Sequence, residues 1–350
     1  MRARLPAALT ALAFAALPVA AAPAATAPGY ALVASWTLGG AGGWDYLTMD
    51  APRRRLFVTR GDRVEVVDVE SGRIIGTVAG TAGVHGVALA PELGRGFTSN
   101  GRTNSVTVFD YDSLAVLREV PVPGTIPDAI LYEPTTQRLF LFNGGSHDAT
   151  VLDARSDAVL ARLPLPDKPE FAVADGQGRV YVNIESEHGQ LVAIAAGALA
   201  ISATWPLPGC AFPTGLAFDR GHGRLFSTCA GRTLAVTDAA SGRPIARVAI
   251  GERPDAAEFD PASGLIFSAN GDGTLSIVHQ RSADVYAAPV TLPTRRGART
   301  MAFDPATRRV YLVTADFGPE PVPTADQPRP RPEPVPGTFT VLIAAPAGGH

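Results

Sequence analysis

Seven polar residues recur in this chain at nearly constant intervals, and together they could do chemistry. Asp45 (Gly-Trp-Asp-Tyr), His85 (Gly-Val-His-Gly), Asp128 (Ile-Pro-Asp-Ala), Glu170 (Lys-Pro-Glu-Phe), Thr214 (Phe-Pro-Thr-Gly), Asp255 (Arg-Pro-Asp-Ala) and Arg299 (Gly-Ala-Arg-Thr) are spaced 40, 43, 42, 44, 41 and 44 residues apart. Four carboxylates and an imidazole drawn to one place would raise one another's proton affinity or call for a cation. His85, Asp128, Glu170 and Asp255 are the candidate ligands for a divalent cation, calcium or magnesium, and the whole set could instead grip a polar ligand through hydrogen bonds. Asn100, Asn143 and Asn270, with Asn183 slightly displaced, recur at a second repeated position and would add amide oxygens to the same place. Asp and Asn also serve turns through local hydrogen bonds, and Asn270-Gly271-Asp272-Gly273 reads first as a hairpin.

These residues can meet only if the elements carrying them repeat around a centre. A strand phrase recurs as RLFVTRG from Arg55, RGFTSNG from Arg95, RLFLFNG from Arg138, RVYVNIE from Arg179, RLFSTCA from Arg224, LIFSANG from Leu265 and RVYLVTA from Arg309. Its aromatics, Phe57, Phe97, Phe140, Tyr181, Phe226, Phe267 and Tyr311, lie 40, 43, 41, 45, 41 and 44 residues apart. An apolar strand ending in a turn such as Asp304-Pro305 precedes each phrase, and an alternating strand such as Val64-Glu65-Val66-Val67 follows it. Four short strands in each unit of about 42 residues make a propeller blade, so the fold class is an all-β seven-bladed propeller. The last copy lacks a fourth strand and residues 30–38 have its pattern, so an N-terminal strand is expected to complete the last blade. The expected domain plan is a leader over residues 1–22 and a single propeller over 23–350, with a Pro-rich loop at 319–336 inside the last blade. In such a ring the seven slots and the ends of the second strands lie around one mouth of the channel.

The phrase RVYVNIES and its relatives resemble the YVTN-type repeat, and the chain after its leader resembles an exported YncE-like seven-bladed propeller over all seven copies. The resemblance implies the fold. It also brings a DNA-binding label and, through the wider fold class, kinship with quinoprotein dehydrogenase β-chains, lactonases, lyases and pure binding modules.

Charge weighs against nucleic acid. The chain has 30 basic and 33 acidic residues, and its longest basic run is Arg53-Arg54-Arg55. Arg2 and Arg4 followed by an apolar run to Ala22 read as a secretory signal peptide, which predicts a periplasmic protein with no membrane span. Cys210 and Cys229 are then expected to form one disulfide, stapling the loop that enters blade five to that blade. Serine-hydrolase elbows, Walker loops, zinc-protease motifs and Cys-x-x-Cys pairs do not occur in the sequence. The expected function is a monomeric binding or scaffold module that recognises a small molecule, a peptide or a periplasmic protein at the channel mouth. The alternative is a lactonase- or lyase-type enzyme that uses a mouth-bound cation, with His85 or Glu170 moving the proton.

Overall fold

The computed structural model describes residues 29–324 and 331–347 together with Met1. Apart from Met1, the expected leader lies outside the described residues. Seven antiparallel sheets surround a channel, six of four strands and one of five. The innermost strands are Leu47–Asp50, Val84–Ala90, Pro127–Glu133, Pro169–Ala174, Pro213–Asp219, Pro254–Asp260 and Met301–Asp304. No helix among the described residues is long and apolar enough to cross a membrane.

The repeated aromatics hold the blades together. All seven are at most 2% exposed, and burying an aromatic of this size contributes about 2–3 kcal/mol. Several stack across the gap between blades: Phe57 lies 6.0 Å from Phe109 and Phe267 lies 5.7 Å from Phe303. The arginine that opens the phrase also has a structural task. Arg55 donates to the carbonyl of Tyr111 at 2.9 Å and Arg95 to that of Ala154 at 3.1 Å, each on the next blade. Arg138 reaches the carbonyl of Ala196 in the same way, and in blade four the phenol of Tyr181 takes over, donating to Ala239 O at 3.0 Å. Third strands end in Asp-x-x-Ser turns in which Asp68, Asp110, Asp153 and Asp238 each accept from the amide and hydroxyl of the serine three residues on.

The ring closes as the chain pattern predicts. Tyr30–Thr37 pairs antiparallel with Thr340–Pro346, from Tyr30 opposite Pro346 to Thr37 opposite Thr340, and so forms the outer strand of blade seven. Trp36 packs 5.8 Å from Tyr311 beneath it. The Pro-rich insertion leaves this blade between Arg309–Thr314 and Thr340–Pro346. Blade six carries the extra strand: Thr274–Ser282 overruns its partner and pairs both with Val285–Tyr286 and with the outer strand Val290–Pro293.

Candidate functional site

A backbone irregularity at the repeated slot aims its side chains at the mouth. In blades two to six the pairing of first and second strands shifts by one residue at the slot, between Val84 and Val87, Pro127 and Ile130, Pro169 and Ala172, Pro213 and Leu216, and Pro254 and Ala256. Such a bulge frees one residue from the ladder and re-aims it. Four of the five have proline just before the slot, where no ladder donor is needed. Ile126, Phe212 and Arg253 precede three of these prolines with φ near +50°, which turns the chain into the bulge. Side chains of the same blade and of the preceding blade then fix the freed backbone. Ser99 Oγ accepts from Gly86 N at 3.0 Å and donates to Asp128 O at 2.5 Å, and Thr214 Oγ1 donates to Pro254 O at 2.9 Å.

The slots of blades one to three converge on one imidazole. His85 Nδ1 lies 2.6 Å from Asp45 Oδ2 and 3.5 Å from Asp128 Oδ1. One donor atom from each of these three residues fits within a span of 4.8 Å. Asp128 Oδ1 is buried and makes no hydrogen bond. Next around the ring, Lys168 Nζ bridges Glu170 Oε2 at 3.0 Å and Glu185 Oε2 at 2.5 Å. Arg299 Nε meets Asp255 Oδ2 at 3.2 Å. Tyr46, edge-on to Phe171 at 5.2 Å, lies among the acids.

Burial and crowding set the protonation of this ring. Desolvation, then the charge of Asp45, pushes the Asp128 carboxyl up to about 6. Desolvation pushes Asp255 to about 7 despite the Arg299 guanidinium. Glu170 is held well above the usual carboxylate range by burial and by Asp128. The Tyr46 phenol is raised by burial and by Glu170, Asp128, Asp45 and Asp255, so these four carboxylates act on one point. Burial alone would lower the His85 imidazole; the hydrogen bond to Asp45 and the charges of Asp128 and Asp45 more than offset it and hold it raised.

The expected ligand set is regrouped. His85 and Asp128 come together with Asp45 as third member, whereas Glu170 is tied to Lys168 and Asp255 to Arg299. The Thr214 hydroxyl is spent on the backbone of blade six. The four asparagines are fully buried, with their amides engaged inside the sheets. Asn100 Nδ2 donates to Thr107 Oγ1 at 2.8 Å, Asn143 Nδ2 to Thr150 Oγ1 at 2.9 Å and Asn270 Nδ2 to Ser276 Oγ at 3.0 Å, fastening second strands to third. Asn183 Nδ2 donates to Thr214 O at 2.9 Å and Gly215 O at 3.0 Å, holding the bulge of the next blade. The expectation that these amides face the mouth therefore gives way to a structural placement: strand neighbours offer hydroxyls at hydrogen-bonding range. Lys168 and Tyr46 were missed by counting slots, because they sit two residues before one slot and one after another. Cys210 and Cys229 form a disulfide with Cα atoms 5.1 Å apart, joining the loop that enters blade five to its second strand.

No protein-family model matches the chain, and no curated protein matches it in sequence. Solved structures match in fold. A chain of hydrazine synthase from Kuenenia stuttgartiensis aligns with TM-score 0.68 and 14% identity over 78% of this chain and 92% of its own. A chain of the mitotic checkpoint complex aligns with TM-score 0.71 and 15% identity over 96% of this chain and 98% of its own. At such identities the likeness bears on the propeller fold alone.

Proposed function

We propose that this chain is an exported, YncE-like propeller that works as a binding module, taking a small polar ligand rich in positive charge or hydrogen-bond donors at the acidic mouth of its channel. One observation carries this reading: Asp45, Asp128, Glu170, Glu185 and Asp255 crowd a single mouth, and Asp128 keeps a buried oxygen without a donor. Lys168 and Arg299 balance part of the charge, and the remainder is open to a cation or to ammonium and hydroxyl groups. Calorimetric titration of chelator-stripped protein with spermidine, calcium and manganese tests it. Saturable binding that weakens at least tenfold, about 1.4 kcal/mol, in Asp128→Asn is the expected result. No saturable heat with any of the three would refute it.

A second reading rests on the trio of Asp45, His85 and Asp128. Two carboxylates and an imidazole suit a divalent metal, and the nitrogen donor moves the preference from calcium or magnesium toward manganese or zinc. A metal bound there would act as a Lewis acid on a carbonyl oxygen, the chemistry of a lactonase or lyase. Glu170, its proton affinity raised well above the usual carboxylate range by burial and by Asp128, is then the group to pass a proton. One equivalent of metal in protein purified without chelator, lost together with hydrolysis of a lactone panel in His85→Ala, would favour this enzyme over the binding module.

A further inference from the structure

Beside the acidic ring, where blades six, seven and one meet, lies a cavity of about 370 Å³ with the opposite character. Four arginines line it, Arg253, Arg296, Arg299 and Arg331, and among the described residues no carboxylate lines it. Its walls are the rings of Trp44 and Phe317, 6.1 Å apart, with Pro332 and Pro334.

The Pro-rich insertion builds one side of this cavity. Its stem is pinned where Gly318 N donates to Glu333 O at 2.9 Å and Val335 N to Asp316 O at 2.8 Å, which faces Phe317 to Pro334. Its foot is tied to the N-terminal loop by Gly337 N to Gly40 O at 2.8 Å. The opposite side is the loop into blade seven, held where Thr314 Oγ1 donates to Arg296 O at 2.7 Å. The cavity is thus framed by fixed backbone on both sides.

Its charges are only half used. Arg296 pairs with Glu320 and Arg299 with Asp255, but Arg253 and Arg331 have no carboxylate partner among the described residues. A second observation is independent of the arginines: Thr300, 2% exposed, lines the cavity, and its hydroxyl has no hydrogen-bond partner. Guanidinium groups only donate, and in forked pairs that match carboxylate and phosphate oxygens. The two adjoining rings offer an apolar surface for an apolar body to lie on, and the volume is that of a small-metabolite site.

We propose that this cavity is a second binding site, for a small organic anion that presents a carboxylate or phosphate group to Arg253 and Arg331 and lays an apolar or aromatic body against the adjoining rings of Trp44 and Phe317. The site is separate from the acidic ring and does not depend on the function proposed for it. Arg299, paired to Asp255, is the boundary between the two.

Four probes separate charge from body: benzoate, phenyl phosphate, inorganic phosphate and benzyl alcohol. They are titrated by calorimetry and by tryptophan fluorescence into protein stripped of divalent cations and dialysed free of chelator, so that a cation at the mouth plays no part. At least one of the two aromatic anions should bind at least tenfold more tightly than inorganic phosphate and benzyl alcohol, and the tighter of the two identifies the head group. Its affinity should fall with added salt and fall at least tenfold in the Arg253→Gln, Arg331→Gln double variant. Both side chains are exposed and carry no ion pair among the described residues, so the variant should keep the parent melting temperature. Thr300→Val should weaken the same anion, and Trp44→Phe should abolish the fluorescence response while calorimetric binding persists. Absence of saturable binding by both aromatic anions up to 10 mM, or unchanged affinity in the folded double variant, would overturn the proposal.

Discussion

Replacing Asp255 by asparagine should stabilise the protein, and by more as the pH rises. The carboxyl is buried and its proton affinity is raised from the ordinary 3.8 to about 7. For an acid raised on folding, the native state holds a proton that the unfolded chain has already released. Stability is therefore undiminished below pH 4 and is lost as pH climbs to 7. Between pH 5 and 7 that loss is about two units of about 1.4 kcal/mol each, or about 3 kcal/mol. With unfolding entropy of about 2.1 cal/mol/K per residue over the 350-residue chain, this corresponds to roughly 4 °C in Tm. Asp255→Asn keeps the shape and an oxygen for Arg299 and removes the titration. Melting curves by circular dichroism at pH 5, 6, 7 and 8 should then show Tm of the variant pulling ahead of the parent by about 4 °C across the range. Asp128 and Glu170 titrate in the same direction and give both proteins a residual fall. A gap that stays constant with pH would refute the argument, because it would mean that Asp255 is ionised throughout. A gap that closes toward pH 8 would show that the Arg299 ion pair outweighs desolvation.

Four further outcomes follow from the same contacts. Asn270→Ala removes three hydrogen bonds, to Thr274 Oγ1 at 3.1 Å and Ser276 Oγ at 3.0 Å and from Ser268 Oγ at 2.9 Å, and should cost about 3 kcal/mol, read as a lower Tm. Serine at both Cys210 and Cys229 opens a link between residues 19 apart in sequence and should cost about 3 kcal/mol, as should reduction of the parent protein. In Gly96→Ala the new methyl would land on the Phe109 ring between blades one and two, an overpacking worth about 1–3 kcal/mol; a variant as stable as the parent would disprove that contact. On the acid side, Asp68, Asp110, Asp153 and Asp238 are held below the usual range, chiefly by their Ser-turn hydrogen bonds. Stability should fall again as pH drops through those lowered values, placing the optimum in the weakly acid range.

The ring architecture was legible because it is a matter of period. A buried aromatic every 40-odd residues and an orphan strand pattern at 30–38 fix seven blades and their closure, whatever the loops contain. The slots were legible for the same reason, although the device that aims them, a bulge after proline, shows in sequence only as Pro127, Pro169, Pro213 and Pro254. What period could not give is which neighbours a slot acquires. Asn143 and Glu170 look alike as polar repeats, yet one donates its amide nitrogen to Thr150 at 2.9 Å inside the sheet and the other meets Lys168 at the mouth. That difference depends on whether a partner hydroxyl lies across the strand, and strand pairing must be known before it can be read.

The departures from the repeat also explain why one mouth carries two signs of charge. Blades one to three hold Asp45, His85 and Asp128, and blade four holds Glu170 and Glu185 around Lys168, an acidic arc. Blade five contributes a threonine whose hydroxyl is consumed by its neighbour, so the arc ends there. Asp255 and Arg299 then pair across blades six and seven, and beyond them lie the arginines beneath the insertion. Uniform carboxylates at all seven slots would repel one another into neutrality, and uniform arginines, which keep their charge, would demand counter-anions. By alternating an acid arc, a neutral slot and an ion pair, the ring lets a cationic patch and an anionic one sit side by side without quenching, and Arg299, paired to Asp255, stands on the boundary between them.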